Sequence, residues 1–174
     1  IRASFFLYMF VDIVFPKDNE DEFIAMAKKL GYDKLIFVYP FGSKTNSEYK
    51  KVKDVEIVKA TLVTKKDINK QKSGIAIVKA LDDSRGFFES KKIDMIFNLE
   101  DVSKKDFIHH YGSGLNQVLA KFAYSTKKAI GFSFSMLLLA KGKKKAILMS
   151  RISQNIRFCR KYDVKMVTAS FCSN

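Results

Sequence analysis

The residues able to do chemistry are few and poorly clustered. His109 and His110 are the only histidines. They are adjacent, so in a strand or a helix their side chains diverge and rarely share a metal. A lone ligand or base is the chemical reading of one of them, and polar surface or capping groups before the Tyr111-Gly112 turn are the favoured one. Asn98, Glu100 and Asp101 follow an apolar stretch and form the one acidic concentration near an expected strand end. With a histidine they would make a minimal acid/base site; alternatively they are acids at a helix start. Gly112-Ser113-Gly114 either offers backbone amides to a phosphate or places Ser113 as an ordinary helix cap. Cys159 and Cys172 form no Cys-x-x-Cys pair, which fits a reduced intracellular protein better than a disulfide framework or zinc ribbon. No nucleophile elbow, Walker loop or dinucleotide fingerprint is present.

Positive charge is plentiful instead. Thirty-two Lys and Arg stand against 18 Asp and Glu, a net charge of +14. Such a field attracts polyanions, with nucleic acid the leading class, although ribosomal and surface-adhesive proteins share the balance. A helix opening at Gly112-Ser113-Gly114 would bury Leu115, Val118, Leu119 and Phe122 and present Asn116, Gln117, Lys121, Tyr124, Lys127 and Lys128. A last helix, about Ala146 to Tyr162, gathers Leu148, Ile152, Ile156 and Cys159 into one arc. Arg151, Arg157, Arg160 and Lys161 fall outside that arc. Lys143, Lys144 and Lys145 precede this helix at the end whose dipole repels cations, a placement that a polyanion would relieve. Arg85 and a lysine-rich loop from Phe41 to Lys53 add further cations. A solvated face has the same look.

The elements that must position these groups alternate between apolar runs and amphipathic stretches, as in a parallel sheet covered by helices. Seven strands are expected: Leu7 to Phe15, Leu35 to Tyr39, Val55 to Leu62, Ile75 to Val78, Asp94 to Phe97, Ala129 to Phe134 and Val164 to Thr168. The run Leu35-Ile36-Phe37-Val38 lacks period-two alternation, so both faces of the sheet should be buried. A first helix begins near Asp18 or Asn19, carries Glu20, Asp21 and Glu22 at its positive end, closes at Gly31, and buries Phe23, Met26, Ala27 and Leu30. Strand ends such as Phe15-Pro16, Tyr39-Pro40 and Phe134-Ser135 are poor in carboxylates, which argues against a divalent-cation cluster there. Residues 1–174 are expected to form a single domain. A (β/α) barrel and a doubly wound open sheet both accommodate the pattern, and 174 residues is short against the roughly 200 or more usual for a barrel. No apolar run reaches the roughly 20 residues of a spanning helix, so no membrane association is expected. Phe5 to Val11 would pass for a signal-peptide core, but Asp12 interrupts it and a buried first strand explains it as well.

Gly114-Leu115-Asn116-Gln117-Val118-Leu119-Ala120-Lys121, then a strand, then Gln154-Asn155-Ile156-Arg157-Phe158-Cys159-Arg160-Lys161-Tyr162 before a last strand, resembles archaeal ribonuclease P protein component 3. Phe10-Val11-Asp12-Ile13-Val14-Phe15-Pro16 and Thr168-Ala169-Ser170 are similar to that family's opening and later strands. The resemblance implies a TIM-barrel-like fold of about seven parallel strands, incomplete as a ring, since the family usually continues beyond the seventh. It implies a cytoplasmic subunit of an endoribonuclease that removes the 5′ leader from precursor tRNA. In that family the ribonuclease P RNA cleaves with Mg2+, so no cofactor, catalytic residue or metal ligand is assigned to this chain. Implied partners are that RNA, the ferredoxin-like protein component 2, other ribonuclease P protein subunits, and precursor tRNA in the holoenzyme. Lys121, Arg157 and Arg160 lie inside the matched motifs as RNA contacts. Lys161, Arg151, Lys143, Lys144, Lys145 and Arg85 are added on charge placement. The competing readings are a stand-alone metal-dependent TIM-barrel phosphoesterase, with Glu100, Asp101 and a histidine as its site, and a structural ribosome-associated protein.

Overall fold

A computed structural model describes residues 9–43, 51–52, 55–102, 105–107 and 111–173. Its strands are β1 (Val11–Val14), β2 (Lys34–Pro40), β3 (Lys51–Val52), β4 (Val55–Leu62), β5 (Ile75–Lys79), β6 (Met95–Phe97), β7 (Ala129–Ser133) and β8 (Lys165–Ala169). Its helices are α1 (Glu20–Leu30), α2 (Arg85–Glu89), α3 (Gln117–Ser125), α4 (Phe134–Leu139) and α5 (Gly142–Lys161). Seven strands lie in the order β1-β2-β4-β5-β6-β7-β8, each parallel to its neighbours, and β3 pairs antiparallel with the start of β4. Six of the expected strands are therefore present within one residue of their bounds; the first begins at Val11 rather than Leu7, residues 7 and 8 lying outside the described residues.

The sheet curls until its edges meet. Val14 bridges Cys172, Phe171 N donates to Ile13 O at 2.8 Å and Phe15 N to Cys172 O at 2.7 Å. Asp12 Oδ1 accepts from Ser170 N at 2.6 Å. This makes a nearly closed barrel of seven parallel strands, and the doubly wound alternative is set aside. Alternate residues separate the two faces, as the strand period requires. Ile13, Val38, Ala60, Ile77, Met95, Phe97, Ala169 and Phe171 fill the lumen. Val78, Ile96, Ile130 and Phe132 face outward onto Phe87, Phe88, Leu119, Ala120, Ala123 and Cys159 of the helical layer.

Several local expectations change. The stretch from Phe41 to Lys53 contains β3, and residues 44–50 and 53 lie outside the described residues. Helix α1 ends at Gly31 in the left-handed conformation, as expected, but it buries Ile24 and Ala27 over β2 and leaves Met26 and Leu30 more than half exposed. No helix opens at Gly112-Ser113-Gly114. Helix α3 starts after Asn116, whose Oδ1 accepts from Leu119 N at 2.9 Å. It therefore seats Leu119, Ala120 and Ala123 on the sheet and turns Val118 outward. Helix α5 begins at Gly142 rather than Ala146, which places Lys143, Lys144 and Lys145 inside its first turn.

Candidate nucleic-acid interface

In barrel enzymes the reacting groups gather at the C-terminal mouth of the strands. Here three aromatic rings fill it. Phe97 at the end of β6 stacks on Phe171 after β8, with centroids 4.8 Å apart and planes 6° apart. Phe15, after β1, packs 5.6 Å from the first and 6.2 Å from the second. Gly131 on β7 makes the room: a Cβ there would meet Phe171 Cζ and Phe97 Cβ at 2.9 Å. The usual place of a hydrolase site is filled with carbon. Among the described residues no group of three or more His, Cys, Asp or Glu is placed to hold a metal, and His109 and His110 lie outside those residues.

Glu100 is fully buried in the 3-10 turn after β6. Its Oε1 accepts from Asn155 Nδ2 at 2.8 Å, and the same amide nitrogen donates to Ser113 O at 2.9 Å. Burial pushes the Glu100 carboxyl up to about 7, against the opposing effect of the Asn155 hydrogen bond. Among the described residues, Asn98 Oδ1, Glu100 Oε2 and Asn155 Oδ1 are buried acceptors without a donor. A neutral Glu100 brings a proton into this set of acceptors. The acid proposed for catalysis thus belongs to an interior polar cluster, and the Cys159 thiol, pushed up to about 12 chiefly by burial, is equally interior.

Arg151 corrects the expected outward placement. It is 8% exposed; Nη1 donates to Glu100 O and Val102 O, both at 2.9 Å, and Nε to Asp106 Oδ1 at 3.0 Å. Together with Gln154 and Asn155 it straps the long β6–α3 connection onto α5. Lys128 is also interior: its ammonium donates to Ser90 O and to Ile93 O, the latter at 2.9 Å.

The other basic positions stand on the outside. Lys121 is exposed on α3, and Arg157, Arg160 and Lys161 are exposed within about one turn of α5. Lys143 and Lys144 are exposed and Lys145 half-buried, some 12 residues earlier, which is ~18 Å along the helix axis. Lys144 pairs with Asp101 at 3.3 Å. Arg85 pairs with Glu89, at 2.8 Å, and lies over the face of Phe122 on α3, the residue after Lys121. Hydrophobic periodicity could not locate the Arg151–Asn155 strap, because it treats every polar residue as outward. The available signal was Asn155 falling only about 20° beyond Leu148, at the edge of the arc drawn through Leu148 and Cys159.

A seven-stranded parallel barrel with an apolar, filled lumen and a cationic helical exterior is a TIM-barrel-like α/β protein without the usual polar mouth. The chain is similar to proteins named ribonuclease P protein component 3. It is 30% identical to "Ribonuclease P protein component 3" of Methanosarcina barkeri over 171 residues, covering 88% of this chain and 66% of the relative. It is 45% identical to the protein of that name from Methanosarcina acetivorans over 58 residues, which are 33% of this chain and 24% of the relative. The chain thus matches just under two thirds of the first of these relatives and about a quarter of the second. No protein-family profile matches. A chain of the cryo-EM structure of archaeal ribonuclease P with mature tRNA shares the fold, with a TM-score of 0.74, 21% identity, and coverage of 94% of this chain and 74% of that one.

Proposed function

We propose that this protein is a subunit of ribonuclease P that binds and stabilises the catalytic RNA during removal of the 5′ leader from precursor tRNA. Its partners are the ribonuclease P RNA, the ferredoxin-like protein component 2 and the other protein subunits, with precursor tRNA entering in the holoenzyme and Mg2+ acting at the RNA active site. The chain acts in the cytoplasm. Apart from the likeness to ribonuclease P protein component 3, the observation that supports this reading is the contrast between the Phe15-Phe97-Phe171 plug and the cations outside the barrel. Lys121, Arg157, Arg160 and Lys161 are the central phosphate contacts, with Lys143, Lys144 and Lys145 extending them along α5 and Arg85 adding a cation over Phe122.

Changing Arg157 and Arg160 together to Glu tests it. Binding of the ribonuclease P RNA should weaken, and the dependence of affinity on salt should flatten as phosphate contacts are lost. Unchanged affinity across the titration would remove these residues from the interface. Co-purification of ribosomal RNA in place of the processing RNA would favour a ribosome-associated role.

A further inference from the structure

Tyr111 separates two clefts. One, of about 310 Å3, is lined by Lys105, Phe107 and the Gly112 to Asn116 segment. The other, of about 410 Å3, is lined by Met149, Ser150, Ser153, Gln154 and Arg157. The Phe107 ring is 61% exposed and Tyr111 43%. Tyr111 is nevertheless held firmly: its backbone N donates to Gln154 Oε1 at 2.9 Å, and its carbonyl accepts from Gln154 Nε2 at 2.8 Å. Gln154 Nε2 also donates to Ser113 Oγ at 2.8 Å. The nearby Asp106 carboxylate is occupied by Arg151 and by Gly112 N. Among the described residues, Lys105 and Arg157 form no ion pair.

We propose that this two-lobed cleft takes an unpaired stretch of RNA, a base stacking on Tyr111 and the flanking phosphates lying against Lys105 and Arg157. This rests on the RNA-binding reading above and names the form of RNA. Aromatic rings beside cations suit splayed-out bases, whose faces stack on the ring whatever their sequence. An A-form duplex keeps its bases stacked on one another and has none to offer Tyr111. A protein ligand is the poorer fit, because the Arg157 lobe presents hydroxyls, an amide and a guanidinium with only Met149 as a large apolar wall. Because Gln154 grips the backbone and not the ring, Tyr111→Leu keeps the strap.

The test measures binding of the full chain to a single-stranded hexauridylate carrying one 2-aminopurine, alongside the ribonuclease P RNA. Wild-type protein should bind the oligonucleotide and change 2-aminopurine fluorescence by stacking. Tyr111→Leu should weaken binding roughly tenfold or more and abolish that change, while Tyr111→Phe retains both. Arg157→Gln should lower the salt slope by about 0.7. Equal oligonucleotide binding by wild type and Tyr111→Leu, with the ribonuclease P RNA still bound, would overturn this proposal and leave the subunit reading intact. Failure to bind any RNA would overturn both. A protein partner that needs Tyr111 while the oligonucleotide does not would assign the cleft to that partner instead.

Discussion

Asn155 Nδ2 donates to Glu100 Oε1 at 2.8 Å, tying α5 to the turn that follows β6 across 55 positions of sequence. The carboxyl it holds is raised from an ordinary 4.5 to about 7 by burial. Between these values the folded protein binds more protons than the unfolded one, so stability falls as pH rises through this window and levels off above it. The fall is worth up to about 3 kcal/mol. Glu100→Gln keeps an acceptor for Asn155 and supplies permanent donors, so it should flatten the profile and raise stability at pH 8. Urea denaturation at pH 5, 6, 7 and 8 measures this; an unchanged slope would show that Glu100 ionises normally.

Arg151 and Arg157 lie on one helix with opposite duties. Arg151→Ala removes the donors from two carbonyls and leaves the Asp106 carboxylate with Gly112 N alone, a loss of about 3 kcal/mol. At this chain length that lowers Tm by roughly 6 to 12 °C. Arg157→Ala should leave Tm nearly unchanged and weaken RNA binding. Calorimetry on both variants distinguishes the roles, and equal melting temperatures would contradict the strap.

The aromatic plug depends on the missing side chain of Gly131. Gly131→Ala drives a methyl into Phe97 and Phe171 and should cost about 1–3 kcal/mol. Phe97→Ala opens a cavity and should cost about 3–5 kcal/mol. If denaturant midpoints show no loss in either variant, the lumen is not packed as described.

Lys128→Met keeps the buried stem and deletes the ammonium that serves Ser90 O and Ile93 O. Each orphaned carbonyl costs about 1–3 kcal/mol. Lys127→Met, one residue earlier and exposed, should be near neutral. A common Tm for the two variants would refute the interior role of Lys128.

The strands were legible because residues buried on both faces give continuous apolar runs, and Val55–Leu62 falls where its run does. The inner face of α5 was not. Expected through Leu148, Ile152, Ile156 and Cys159, its buried line instead runs through Leu148, Arg151, Asn155 and Cys159. Polar groups occupy the interior where partners distant in sequence satisfy them, and hydrophobic periodicity carries no record of those partners. Lys128 escaped for the same reason. Met26 and Leu30 erred the other way, since an apolar residue at helical spacing carries no obligation to be covered. The outward cations Lys121, Arg157, Arg160 and Lys161 were legible because nothing in the interior competes for them.

Support of a catalytic RNA is the role proposed for this chain. The most direct measurement is cleavage of precursor tRNA by the ribonuclease P RNA, reconstituted with protein component 2, with and without this chain, as Mg2+ is lowered. The chain should reduce the Mg2+ needed for half-maximal cleavage, and the variant carrying Glu at positions 157 and 160 should lose most of that effect. An identical Mg2+ requirement with and without the chain would contradict that role.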